Sequence, residues 1–563
     1  MKNALVLVSA LLAVACGPPA EHTSSLDSAR VQSAAATITS DELLGHIRAL
    51  SADDFEGRSP GTAGEASTVA YLTRELQRMG LDPGNPNGTF IQEVPLVGIT
   101  STWTSSVDVN GRTIPMRFPD DFAPASLRIE PETRVDRSDI LFVGYGVVAP
   151  EYGWDDYKGL DVRGKTLMML VNDPAIPDPA NPSQLDPKMF KGRAMTYYGR
   201  WTYKYEIASK LGAAAVLLVH ETGPAGYPYD VPKAGAVGES FDLQPPDRNM
   251  SRVPVESWIH LDKAREILAA SGQDFDALKA AALRRDFKPV PLAARASFAV
   301  KKTFREVKSR NVVAKVTGSD PARRDEYVVY TAHWDHLGRD TSREGDQVYN
   351  GAIDNGTGSA MVLEIAQAFA SMKPRPARSM VFLWVTAEEQ GLLGSKYYAS
   401  APLYPLNKTL ANINIDAMYP WGPTRDMIVI GSGNTTLEDA LAEEAAADGR
   451  KLTPDMEPEK GRFYRSDHFE LGKVGVPALY PKTGNEFVGK PADYGTKMRA
   501  MYDATDYHKP SDEVKRDWDM SGMAADAQLL LRVGGRVANA ATWPEWKEGT
   551  EFKALREKSL QAR

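Results

Sequence analysis

The chain has 563 residues, long enough for two or three domains. Lys and Arg number 66 against 74 Asp and Glu, a net charge of −8, which excludes a dedicated nucleic-acid binder with its basic excess. Charged residues make up 25% and hydrophobic residues 42%, the balance of a globular protein, and the single cysteine excludes an intrachain disulfide and Cys-rich metal sites.

That cysteine is Cys16. Lys2 followed by an apolar run over 4–15 has the form of an export signal, too short for the roughly 20 residues that span a bilayer. Ala13-Val14-Ala15 is a cleavage site, and Leu12-Ala13-Val14-Ala15-Cys16 resembles a bacterial lipobox. The expectation is a signal peptide over 1–15, lipidation at Cys16 and a flexible Ser/Ala/Pro-rich tether over 16–37. The alternative is an ordinary export signal with a chance cysteine. Either way the mature protein is expected outside the cytoplasm, lipid-anchored on the periplasmic side of a bacterial membrane or secreted, with no other membrane contact.

Helical periodicity runs over 39–50 and 65–79, with a polar Gly-rich loop over 53–64 between them. Alternation over 89–128, broken by Asn110-Gly111, predicts β structure. Short apolar runs over 140–143, 166–171, 213–219 and 251–259, with a helix over 203–211, predict a separate β-rich module over 136–290. Strands are then predicted over 311–316, 327–331, 379–385, 411–415, 427–430 and 477–480. They alternate with helices over 358–371, 391–400, 436–447 and 523–541, which suggests a mostly parallel sheet. The charged tail over 546–563 is expected to be peripheral. Gly159 to Thr166 fits a phosphate-binding loop, but a strand-like run follows where the chemistry needs a helix. Gly144-Tyr145-Gly146 lacks the following helix too and reads as a turn.

There are eight histidines. His333-Trp334-Asp335-His336 ends the strand over 327–331, and period two puts His333 and Asp335 on one side of the chain. Asp354 sits in a Gly-rich turn that leads into a helix. Glu388-Glu389 ends the strand over 379–385, and buried paired carboxylates there are costly without positive charge. Asp416 ends the next strand, and His508 lies in a late polar loop. Taken singly, each has a structural reading as a capping, turn or surface residue. Taken as ligands, His333, Asp354, Glu389, Asp416 and His508 bring three negative charges, which two divalent ions would overbalance, leaving room for hydroxide and substrate. Nitrogen and oxygen donors of this mix suit zinc.

Residues 311–512 resemble the co-catalytic di-zinc aminopeptidase family, zinc exopeptidases with glutamate-carboxypeptidase-like relatives. The resemblance is carried by His333-x-Asp335, Asp354-Asn355-x-x-Gly358, Glu388-Glu389, Asp416, Ser466-Asp467-His468 and His508, and extends to Phe55-Glu56-Gly57-Arg58 and Pro60-Gly61-Thr62. It implies an α/β fold with a doubly wound, mostly parallel sheet, formed by 38–135 and 291–545. The module over 136–290 looks like an inserted protease-associated domain. The resemblance further implies two Zn²⁺ per chain, bridged by Asp354. His333 and Asp416 would complete one site, Glu389 and His508 the other. Asp335 would orient His333, Glu388 would be the general base, and Tyr464 would steady the oxyanion. His336 and His468 would be structural.

The implied activity is removal of N-terminal residues from peptides. A carboxypeptidase on the same scaffold would need cations for the substrate carboxylate, for which Arg462 and Arg465 are candidates. A catalytically inactive binding protein is disfavoured by the complete ligand set. Tyr419 and Trp421, just after Asp416, are candidates to line an apolar side-chain pocket. The expected partners are peptide substrates. The mass of the mature native protein should include a lipid on Cys16; a mass matching an unmodified Cys16 terminus would contradict the anchor.

Overall fold

A computed structural model describes residues 25–561. Cys16 and the signal segment lie outside the described residues. Part of the expected tether is ordered instead: Ser25–Ala35 is a helix whose Val31, Ala34 and Ala35 are buried in the main core. None of the helices among the described residues is long and apolar enough to cross a membrane.

A β-rich module contains β1 (Ile91–Val109), β2 (Phe122–Ala125), β3 (Glu132–Phe142), β4 (Thr166–Leu170), β5 (Ala215–His220) and β6 (Val255–His260). β3, β4, β5 and β6 are parallel neighbours, and β2 closes that edge antiparallel to β6. β7 (Val290–Val316) then runs back along β1, paired from Ala294↔Val109 to Val312↔Ile91. Its first half also pairs with β3. The second core draws on residues from Val107 to Phe298, wider than the predicted 136–290. The reason is that the outer half of the β1–β7 ribbon completes the module's sheet.

The inner end of β7 enters the mostly parallel part of the sheet, with β8 (Tyr327–His333), β9 (Ser379–Val385), β10 (Thr409–Asn414), β11 (Asp426–Ile430), β12 (Lys451–Pro454) and β13 (Ala478–Thr483). The order is β12-β11-β13-β10-β8-β9-β7. β9, β8, β10 and β13 are parallel, while β7 and β11 join antiparallel. The expected mostly parallel α/β sheet is present. Every residue of β8 and β9 is buried, as continuous apolar strands require when both faces are covered. Val328, Tyr330 and Ala332 face a core shared with helices Gly358–Ser371 and Ser521–Asn539. Tyr327 and Val329 alternate to the opposite face, against Tyr398 and Tyr404.

The tail is not peripheral. Trp546, Phe552 and Arg556 are 1%, 3% and 4% exposed, and Trp546 and Phe552 pack beside Phe463 and Phe469. Its charges misled because a few apolar residues between them make the contacts.

β8 delivers the first candidate ligand, and its seating on the helix layer is tight. The Tyr330 hydroxyl donates to the Leu530 carbonyl at 2.7 Å, and a Cβ on Gly534 would meet that hydroxyl oxygen at 1.9 Å. Gly534→Ala should therefore cost about 1–3 kcal/mol by overpacking, against the roughly 1 kcal/mol that Ala normally gains in a helix. Adding Tyr330→Phe should recover part of the loss in urea unfolding. A stabilised Gly534→Ala would refute this packing.

Candidate metal centre

The C-terminal ends of parallel strands are where open α/β sheets bind ligands. Here they carry His333 as the last residue of β8, Glu388 and Glu389 just past β9, and Asp416 just past β10. Asp354 comes from the loop before helix Gly358–Ser371, and His508 from the loop after helix Tyr494–Thr505.

Asp354 lies between the two histidines. Its Oδ1 is 3.2 Å from His333 Nε2, and its Oδ2 is 3.2 Å from His508 Nε2. His333 Nε2 also lies 3.5 Å from Asp416 Oδ1, and His508 Nε2 lies 3.2 Å from Glu389 Oε2. The ligand residues named from the sequence are thus brought together in the expected pairs. Glu388 offers a carboxylate oxygen to the group formed by His333 and Asp416.

The loops are held by a set of buried polar groups around them. Asp512 is buried and accepts the backbone N–H of Ile353 at 3.0 Å and of Asp354 at 3.1 Å. Asn355 Oδ1 accepts from Gly358 and Ala417, and its Nδ2 donates to the Ile415 carbonyl, tying the Asp354 loop to the Asp416 loop. Gly351 has a φ of +55°, and a Cβ there would meet the Asp354 carbonyl at 2.3 Å and the His336 ring at 2.6 Å. Arg58 is 1% exposed and donates to the carbonyls of Trp334, Leu50, Asn350 and Gly351. Burial lowers its guanidinium to about 10, with Asp512, Asp335, Asp354 and Glu389 opposing. Tyr480 donates to Asp416 Oδ2 at 2.9 Å, and Lys482 Nζ donates to the Asp416 carbonyl. Arg58 was legible as part of a polar Gly-rich loop and of the motif Phe55-Glu56-Gly57-Arg58, but with no role attached. Asp512, Tyr480 and Lys482 gave no signal, since their partners are distant in sequence.

Asp335 acts through different atoms than expected. Its carbonyl lies 3.1 Å from His333 Nδ1, whereas its carboxylate is 3.9 Å away. A carbonyl only accepts, so Nδ1 carries the proton and Nε2 faces Asp354 and Asp416. The Asp335 carboxylate instead accepts the N–H of Glu388 at 3.0 Å and of Glu389 at 3.3 Å. His336 Nδ1 lies 2.7 Å from Glu389 Oε1, where it orients that ligand. His468 sits between Phe463 and Tyr480, and burial lowers its pKa to about 3.

Tyr464 is not brought to the cluster. Its hydroxyl donates to Glu551 at 2.6 Å, and Glu551 pairs with Lys191. The tail that carries Glu551 captures it. Tyr419 and Trp421 stack at 4.3 Å and share a small apolar cluster with Ile353, Ala417 and Tyr502. These residues flank Asp354 and Asp416, so the aromatic wall borders the cluster.

Burial disfavours every charge here, yet the groups hold one another ionised. His333 and His508 are raised well above the ordinary histidine range by the surrounding carboxylates. Asp354, Asp416 and Glu389 are held below theirs despite burial, Asp354 by His333 and His508, Asp416 by Lys482 and His333, and Glu389 by His508. The cluster is built to retain positive charge. Divalent ions on the two sides of Asp354 would supply that charge and free both Nε2 lone pairs for coordination. The donor set therefore fits zinc.

Residues 311–531 match the model of peptidase family M28. That segment is similar to peptidase family M28. The chain is 34% identical over 159 residues to leupeptin-inactivating enzyme 1 of Streptomyces exfoliatus, covering 28% of this chain and 33% of that protein. It is 28% identical over 215 residues to leucine aminopeptidase 2 of Trichophyton rubrum, covering 36% and 40%. The match thus spans a third to two-fifths of these relatives. Among solved structures, the aminopeptidase from Aneurinibacillus sp. strain AM-1 aligns over 91% of this chain and 96% of that one, at 17% identity and a TM-score of 0.48.

Arg58→Lys keeps the charge of the buried clasp but cannot reach four carbonyls. Each buried carbonyl left without a donor costs about 1–3 kcal/mol. Urea unfolding should show a loss of at least about 2 kcal/mol, with weaker zinc retention under dialysis. A variant as stable as the wild type would contradict the clasp.

Proposed function

We propose that this chain is an exported, lipid-anchored zinc aminopeptidase that holds two metal ions and releases N-terminal residues from peptides. The observation that carries the reading is the single Asp354 carboxylate, which faces a different histidine through each oxygen. His333 and Asp416 would hold one ion, His508 and Glu389 the other. When bound, such a pair polarises the scissile carbonyl and acidifies the attacking water. The module between β1 and β7 is read as a protease-associated domain.

Glu388 is the residue placed to move the proton. It is not needed as a ligand, and its backbone is fixed by Asp335. Burial, reinforced by the Glu389, Asp467 and Asp416 charges and opposed by His333, raises its carboxyl well above the usual range. A carboxylate with raised basicity takes a proton from water more readily. Glu388 then returns that proton to the leaving nitrogen. The free amine of the substrate enters a site rich in carboxylates, and its first side chain meets the wall of Tyr419 and Trp421. Arg462 does not favour the carboxypeptidase alternative, because it is engaged with Glu457 at 2.7 Å.

Two experiments test the reading. Glu388→Gln should keep its zinc and lose roughly 10²–10⁴-fold in kcat. Glu389→Gln should lose metal first, seen as fewer zinc equivalents after dialysis; wild-type turnover by Glu388→Gln would overturn the assignment. In the second, an unblocked pentapeptide should be cut from its amino end. N-acetylation should abolish cleavage, while C-terminal amidation should change it little. The reverse pattern would make the enzyme a carboxypeptidase.

A further inference from the structure

Helix Ser25–Ala35 fixes where the N-terminal segment leaves the fold. Its Val31, Ala34 and Ala35 are 5%, 6% and 1% exposed, and a Cβ on Gly535 would meet Val31 at 2.7 Å. The helix runs antiparallel to helix Ser521–Asn539. The Ile38 carbonyl accepts from Gln528 Nε2 at 3.0 Å, Val31 lies on Gly535, and Asp27 and Ser28 share a groove with Arg536 and Asn539. Ser25 therefore sits at the Asn539 end of the longer helix.

The two ends of that longer helix lie at opposite edges of the sheet. Asp519, just before it, is bonded to the chain around Trp421: its carbonyl accepts from Gly422 at 3.1 Å, and its N–H donates to the Pro420 carbonyl at 3.0 Å. That is the edge where β8, β9 and β10 end and the candidate ligands gather. At the other end, Asn539 Oδ1 accepts the N–H of Ala377 at 2.9 Å, and the Ala538 carbonyl accepts that of Arg378 at 3.2 Å, immediately before β9 begins at Ser379. The helix has 19 residues, so its ends are about 28 Å apart. Lys373 shares a second groove with Ala29 and Arg30, and the Arg324 carbonyl accepts from Ser379 Oγ at 2.6 Å, so both residues mark the far edge.

We propose that the far edge, around Ser25, Arg324 and Lys373, faces a lipid bilayer and that the candidate metal cluster faces away from it. This rests on the lipid-anchored part of the reading above. Nine peptide steps separate Cys16 from Ser25, and they reach at most about 32 Å. Turning the cluster toward the bilayer would lift Ser25 by about the 28 Å length of the longer helix. That orientation would need the nine steps almost fully extended, at an entropic cost that the upright one does not carry. A tether that ran loose to Thr39 would reach about 80 Å and orient nothing. The seated helix is thus the orienting element. Its consequence is a site open to peptides that arrive from the aqueous side rather than from the membrane surface.

Cys16 is the only cysteine, so in the lipidated protein an introduced cysteine is the only free thiol. Arg324 and Lys373 are exposed at the far edge. Val488 is 44% exposed at the cluster edge, with its N–H on the Pro423 carbonyl at 2.9 Å. Arg324→Cys, Lys373→Cys and Val488→Cys are each labelled with a fluorophore. The full chain is then bound to phosphatidylglycerol–phosphatidylethanolamine vesicles whose headgroups carry a nitroxide quencher. The labels at 324 and 373 should lose emission, and the label at 488 should keep it. A Gly/Ser insertion before Ser25 that doubles the tether should shrink this difference; a difference that the insertion leaves untouched would overturn tether length as its cause. Any other pattern from vesicle-bound protein would overturn the orientation alone. A full chain that does not bind the vesicles would overturn the lipid anchor and the orientation with it.

Discussion

Asp354 has to serve two imidazoles with one carboxylate, 3.2 Å from each, and the loops around it are arranged to hold it still. Asp512 fixes its backbone, Asn355 ties it to the Asp416 loop, and Arg58 ties the chain after His333 to the carbonyls of Asn350 and Gly351. None of these contacts is strong alone. Together they remove the freedom that would let the acids swing into solvent, where they are more stable. The energy of charge burial is thereby kept available for binding cations.

The same economy governs the larger architecture. β1 and β7 form a long ribbon, so the β-rich module is hydrogen-bonded into the sheet that carries the candidate ligands rather than hung from a linker. Side-chain contacts between segments 191–206 and 456–473, together with the buried tail, close the other side. The module is therefore fixed against segment 456–473.

Much of this was legible in the chain. Continuous apolar runs gave β8, β9 and β10, and the residues just past them gave His333, Glu388, Glu389 and Asp416, because strand ends are where polar groups can meet a ligand. Period two put His333 and Asp335 on one side, but the strand stops at His333 and the chain turns. The Asp335 carbonyl then takes the ring nitrogen, and its carboxylate takes two backbone amides. What stayed hidden was how the site is supported. Arg58 and Asp512 act on backbone groups hundreds of positions away or across a loop, and backbone partners leave no residue pattern. Tyr464 was misplaced for a related reason, since its position near Asp467 is local while its partner Glu551 is not. The tail and the ordered helix Ser25–Ala35 were missed because short apolar patches inside polar segments carry weak periodicity.

The central claim is that Asp354 is shared between two metal ions. Anomalous X-ray diffraction from crystals of the zinc-loaded protein tests it most directly. The account predicts two peaks about 3.5–4 Å apart, one beside His333 and Asp416 and the other beside His508 and Glu389, with Asp354 between them. A single peak, or two peaks that do not share Asp354, would contradict it.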